Sequence, residues 1–206
     1  MKKVEFGKQA RKNLIKGIDI LADAVVSTLG PNGRNVVIGK GIVEPPQSTK
    51  DGVTVARNIV LKETNHELGV QLVKYAAIKT ADKAGDGTTT STLLAREIIK
   101  NGLTALDNKE NAVRIKREVD QAVKEVVSQL KKMSEDISEE NQLQQIATVS
   151  ANNDDEVGKL ISTAVDKVGQ QGVVHIESSR TAENYIETVE GMQFARGYKS
   201  PYFVTN

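Results

Sequence analysis

Apolar side chains recur at helical spacing early in the chain. Leu14, Ile18, Leu21, Val25 and Leu29 fall on one face, flanked by Ala10, Ala22 and Val26. The spacing predicts an amphipathic helix that Gly30-Pro31 stops, because proline lacks the amide a continuing helix needs. A short β-type run over residues 35–38 follows, then an extended segment leading into the helical pattern Val53, Val55, Ala56 and Ile59, with Asp51 as its N-cap. Residues 65–83 and 88–101 read as two helices joined by a Gly-Asp-Gly loop. A fourth long helix, over 109–132, sets Val113, Val119, Val123, Val126 and Leu130 on one side and Lys116, Arg117, Lys124 and Lys131 toward water.

Near Met133 the composition changes. Residues 134–158 carry Glu135, Asp136, Glu139, Glu140, Asp154, Asp155 and Glu156 and no lysine or arginine, which places a domain boundary there. Leu143, Ile146 and Val149 predict one helix. Val157, Leu160, Ile161, Ala164, Val165 and Val168 predict another, capped by Asn153 or Asp154 and closed at Gly169-Gln170-Gln171-Gly172. Residues 173–177 and 185–189 read as strands around a polar turn. The fold class is therefore mainly α with small β elements (α+β), and a chain order that ends without a closing element reads as an incomplete domain.

Composition narrows the function classes. Aromatics are only 3% of the chain, so the core is aliphatic, and a formal net charge of +1 provides no drive toward nucleic acid or an anionic membrane. With no cysteine there are no disulfides or thiolate metal sites. The two histidines, His66 and His175, lack companions at zinc-ligand spacing. Residues 4–8 form no signal-peptide core and no apolar run is long enough to span a bilayer, so the expected location is the cytoplasm.

Candidate chemistry sits in three glycine-punctuated turns. Ala84-Gly85-Asp86-Gly87 runs into Thr88, Thr89, Thr90 and Ser91 at a helix start, where unpaired amides and the positive end of the helix dipole favour an anion. Asp86 offers the hard oxygen that magnesium prefers, and the threonines add hydroxyl donors. The same turn also serves as ordinary helix-start chemistry. Thr28-Leu29-Gly30-Pro31-Asn32-Gly33-Arg34 and Thr49-Lys50-Asp51-Gly52 add two more such turns, the second with Lys50 free to meet a phosphate. Together they predict one composite nucleotide pocket. Neither a P-loop nor a Rossmann fingerprint explains them: Gly39-Lys40 is followed by Gly41, and no Gly-x-Gly-x-x-Gly follows a strand. Four of the seven aromatics fall between Phe194 and the end, as a binding surface or as a core plug for an absent segment.

Along its whole length the sequence resembles the GroEL-type (group I) chaperonins. The resemblance rests on Thr28-Leu29-Gly30-Pro31, Gly33-Arg34-Asn35-Val36, Thr49-Lys50-Asp51-Gly52-Val53, Ala84 to Thr90, Ser150-Ala151-Asn152, Glu190-Gly191-Met192-Gln193-Phe194 and Ser200-Pro201-Tyr202-Phe203, in family order. It implies that residues 1–133 belong to the equatorial ATP-binding domain, 134–189 to the intermediate hinge segment and 190–206 to the start of the apical domain. It implies that Thr28, Leu29, Gly30, Pro31, Lys50, Asp86, Gly87, Thr88, Thr89 and Thr90 hold ATP, with Asp86 as Mg2+ ligand and Asp51 near the γ-phosphate. Backbone carbonyls near Thr28 and Lys50 would hold K+. Tyr198, Tyr202 and Phe203 match apical positions that bind unfolded polypeptide or a GroES-type co-chaperonin lid, which favours the binding surface for the aromatic tail.

The implied partners are unfolded clients, the lid and sister subunits of a homo-oligomeric ring, with no nucleic acid and no membrane. Ala195 stands where the family carries an acidic residue and Lys199 where it carries an apolar one, which would retune the apical contact. Measured against the family, most of the apical domain, the returning intermediate segment with the main catalytic aspartate and the C-terminal equatorial helices lie outside these residues. Two other classes of function compete. One is a non-hydrolysing protein that holds apolar partners without ATP turnover. The other is a small phosphotransferase, for which no general base stands near the turns.

Overall fold

The structure is a computed structural model that describes residues 4–42, 44–137, 140–169, 172–179, 181, 183–189, 191, 200 and 202. Its elements in chain order are α1 (Gly7–Val26), β1 (Val36–Ile38), β2 (Gln47–Thr49), α2 (Gly52–Asn58), α3 (Thr64–Ala84), α4 (Thr88–Asp107), α5 (Ala112–Met133), α6 (Glu140–Ser150) and α7 (Asp155–Val168). They fall into two compact units, residues 1–134 and 135–206.

The core of the first unit is aliphatic throughout: Ile18, Leu21 and Val25 of α1 meet Val55 and Ala56 of α2 and Val70, Val73 and Ala77 of α3. Helices α1 and α3 cross with their backbones touching. A Cβ on Gly17 would overlap the carbonyl oxygen of His66, and one on Gly69 would overlap that of Leu14. Two glycines thus set the interhelical distance at this crossing. His66 is buried there, with its Nδ1 2.6 Å from Glu63 Oε2.

Helix α4 runs antiparallel to α1, and ion pairs along the rim record the register: Arg96 to Asp23 at 2.8 Å, Lys100 to Asp19 at 3.2 Å and Arg11 to Asp107 at 3.2 Å. Each step along α4 is matched by a step back along α1, so the start of α4 arrives beside the end of α1. β1 and β2 form a two-stranded antiparallel ribbon, with Val36 opposite Thr49 and Ile38 opposite Gln47. In the second unit α6 packs on α7. Gly158 lies against Thr148, where a Cβ would meet the Thr148 hydroxyl.

Two expectations need correction. Residues 173–177 and 185–189 form no strand. Val173, Ile176 and Val189 are largely exposed, and an isolated two-stranded hairpin with no face to bury is marginal in water. Helix α1 ends at Val26, short of Leu29. The amides of Thr28 and Leu29 instead bond three residues back, to Val25 and Val26, which tightens the chain into a turn and leaves Leu29 exposed. Helix α5 has the predicted periodicity, but none of its residues is buried.

Candidate functional site

The antiparallel register of α1 and α4 brings the first and third glycine-rich turns together. Thr28 Oγ1 and Thr89 Oγ1 lie 3.2 Å apart across 61 positions of sequence. Thr28 is buried, and its hydroxyl also donates to the Val25 carbonyl at 2.7 Å, which fixes its direction. The turn beyond it is closed by Arg34 N–H to Ser27 C=O at 2.8 Å and by Gly33 N–H to Gly30 C=O at 3.0 Å. Gly33 sits against the Thr28 carbonyl so closely that a Cβ would overlap it. Leu29, Gly30 and Pro31 form the exposed outer edge of this turn.

The second turn arrives at the same place from β2. Thr49 pairs with Val36 and accepts the Asp51 amide on its hydroxyl at 3.1 Å, so Lys50 and Asp51 are held between a strand and a helix. Asp51 caps α2, accepting from the amides of Val53 at 3.4 Å and Thr54 at 2.9 Å, and from the Thr54 hydroxyl. Gly52 then passes against the start of α4. A Cβ there would overlap the Thr89 hydroxyl and lie 3.1 Å from that of Thr88. The Lys50 side chain is half-buried and makes no hydrogen bond or ion pair with the described residues.

In the third turn Gly85 ends α3 at φ 74° and Gly87 precedes α4 at φ 79°, both in the left-handed region that side chains disfavour. Nothing lies within 4 Å of where a Cβ would stand on either, so the loop is open to an approaching group. The N-cap of α4 is Gly87, not a threonine, and no side chain caps this helix end. The first backbone bond of α4 is Ser91 N–H to Gly87 C=O at 2.9 Å. The amides of Thr88, Thr89 and Thr90 precede it and are therefore those a helix leaves for an outside acceptor. Asp86 is exposed, its carboxylate accepting the Gly87 amide at 2.5 Å. Thr88 is buried, Thr89 half-buried and Thr90 exposed.

These features fit a bound phosphate with its magnesium. An uncapped helix start facing an open glycine loop supplies donors, threonine hydroxyls line one side and a cation precedes Asp51. No group of three or more ligating side chains occurs among the described residues. One carboxylate is nonetheless an ordinary complement for magnesium, which takes its remaining oxygens from phosphate and water.

Two contributors were not singled out from sequence. Thr92 is fully buried and its hydroxyl donates to the Thr88 carbonyl at 2.8 Å, bracing the first turn of α4. A polar residue one turn past the loop, on a face that packs, was the available signal. The sequence marks Gly52 only as part of a turn, whereas its bare Cα is what admits α2 to α4. Of the aromatic tail, Tyr202 is exposed, while Tyr198 and Phe203 lie outside the described residues.

Residues 21–205 match the TCP-1/cpn60 chaperonin family. The chain belongs to that family. Among solved structures it is similar to the chaperonin gp146 from the bacteriophage EL 2 (Pseudomonas aeruginosa), determined in the presence of ATP-BeFx. Crystal form II matches at TM-score 0.63 and 33% identity over 76% of this chain and 27% of that one. Form I matches at TM-score 0.64 and 32% identity over 78% and 29%. A group III chaperonin in the open state shares the fold at TM-score 0.64 and 20% identity, over 77% of this chain and 32% of that one. The chain thus matches less than a third of the length of these chaperonins. The mostly helical architecture with its small two-stranded sheet is that of the chaperonin equatorial domain. No described helix is long and apolar enough to cross a membrane.

Proposed function

We propose that this chain is the N-terminal part of a group I, GroEL-type chaperonin subunit, an ATP-driven protein of the cytoplasm that binds non-native polypeptides and assists their folding in a ring cavity. Residues 1–133 serve as equatorial domain, 134–189 as intermediate segment and 190–206 as the opening of the apical domain. The observation that carries this reading is the meeting of Thr28, Gly52 and Thr89 at the uncapped start of α4.

In this reading the amides and hydroxyls of Thr88, Thr89 and Thr90 bind phosphate oxygens, with the turn from Thr28 to Pro31 closing the other side. Lys50 offsets phosphate charge and Asp86 holds Mg2+. Backbone carbonyls near Thr28 and Lys50 hold K+, and Asp51, already fixed as a helix cap, faces the γ-phosphate end. ATP, when bound, supplies the hydrolysable phosphoanhydride. Different affinity for nucleotide in two conformations is what would let the site drive exposure of apical surface. Tyr198, Tyr202 and Phe203 contact unfolded clients or a GroES-type lid, and sister subunits complete the ring.

Calorimetric titration with ATP, with and without magnesium, tests the site. The wild-type chain should bind more tightly with magnesium, and Asp86→Ala should remove that gain while leaving the helical circular dichroism signal unchanged. Binding in magnesium that survives Asp86→Ala unaltered overturns the metal assignment. A second reading, holding of apolar partners without ATP turnover, draws on the exposed apolar side of α5. Capture of unfolded chains that is indifferent to nucleotide would favour it.

A further inference from the structure

Behind the candidate site, Lys74 is buried on α3 although its ammonium meets no carboxylate at hydrogen-bond distance. It donates to the Ile59 carbonyl at 2.6 Å and reaches the Arg57 carbonyl at 3.4 Å. Both carbonyls stand at the C-terminal end of α2, where the helix dipole is negative and backbone acceptors are unsatisfied. Two turns back along α3, Glu67 accepts the Leu61 amide at 2.8 Å, so two α3 side chains grip the strand of chain that leaves α2.

Helix α2 needs such a grip. It has seven residues, far below the length at which a helix holds itself together in water. Its other end carries Asp51 and, through Gly52, abuts Thr88 and Thr89. Rotation or sliding of α2 at its far end therefore moves the Asp51 carboxylate at the near end. We propose that Lys74 is a positioning residue for the nucleotide site, holding α2 so that Asp51 is presented to the terminal phosphate. The inference rests on the nucleotide reading above and adds to it a residue that touches no ligand.

A merely structural lysine would, on removal, weaken the binding of every nucleotide alike. A residue that aims Asp51 acts at the γ-phosphate end alone, so the ratio of ATP to ADP affinity separates the two. Calorimetric titration of the wild-type chain and of Lys74→Met with Mg-ATP and Mg-ADP should show ATP affinity changing about tenfold, with ADP affinity unchanged. Lys74→Arg, which keeps a cationic donor, should bring ATP affinity most of the way back to wild type. If Lys74→Met loses its helical circular dichroism signal, Lys74→Gln is read for the same ratio. An unchanged ratio, or equal loss for both nucleotides, overturns the inference while the nucleotide reading stands. Failure of the wild-type chain to bind Mg-ATP at all overturns that reading and this inference with it.

Discussion

A methyl group on Gly17 would occupy the space of the His66 carbonyl oxygen, whereas one on Gly102, in α4, would meet nothing within 4 Å. Both glycines sit inside helices, where alanine is favoured by about 0.5–1 kcal/mol. The two substitutions should therefore move stability in opposite directions. Gly102→Ala should gain about 0.5–1 kcal/mol, because alanine leaves the unfolded chain less conformational freedom to lose on folding. Gly17→Ala should lose about 1–3 kcal/mol net, since backbone cannot rotate out of the way and α1 must part from α3. Urea unfolding followed by circular dichroism measures both. Gly52 is an intermediate case: its nearest neighbour is the Thr89 hydroxyl, which can turn, but the Thr89 amide nitrogen, which cannot, lies 3.3 Å from the same position.

At the scale of elements, the junction of α2 with α3 is held by charged side chains on backbone groups. Glu67 has its pKa lowered, first by the hydrogen bond from the Leu61 amide, against a smaller opposing effect of desolvation, with Gln71 and Lys74 helping to lower it. A carboxyl with a depressed folded-state pKa stabilises above its unfolded-state value, and that contribution disappears as pH falls through the folded-state value. The stability difference between wild type and Glu67→Gln should therefore be constant near neutral pH. It should begin to shrink as pH drops below the ordinary glutamate range and vanish below the lowered value, as thermal melts across pH will show. Glu67 is only half-buried, so the difference will be modest and partly screened by salt. Helices α1 and α5 show how far periodicity reaches. Both carry an apolar stripe, yet Ile18, Leu21 and Val25 are buried while Val123, Val126 and Leu130 are exposed. A stripe states that a face is ready to pack and is silent on whether a partner is present.

For the whole molecule, that exposed α5 face is joined by Leu68, Leu72 and Tyr75 of α3 and by Leu94 and Ile98 of α4, each about half exposed or more. Every Å² of apolar surface left wet forgoes about 25 cal/mol of stabilisation. The chain by itself should consequently bind the dye ANS and self-associate with rising concentration. Val126→Glu combined with Leu130→Glu should reduce both, measured by dye fluorescence and sedimentation velocity, while leaving the α1–α4 core melting as before. Association unaffected by the pair would place the sticky surface elsewhere.

Local chemistry made much of this protein readable from its residues alone. Helix periods, the Asp51 and Asp154 caps, the glycine ends of α3 and α7 and the three turns all depend on neighbours within a few positions, where side-chain size and hydrogen-bonding capacity decide the outcome. The family motifs likewise stood in linear order. Tertiary structure decided what depends on distant partners: that Thr28 reaches Thr89, that Gly52 is the point of entry for α2, that Lys74 grips that helix from behind, that 173–177 and 185–189 form no strands, and that α5 lies bare. Each of these is a question of which surfaces meet, and burial free energy belongs to pairs of surfaces, so no single stretch of sequence contains it.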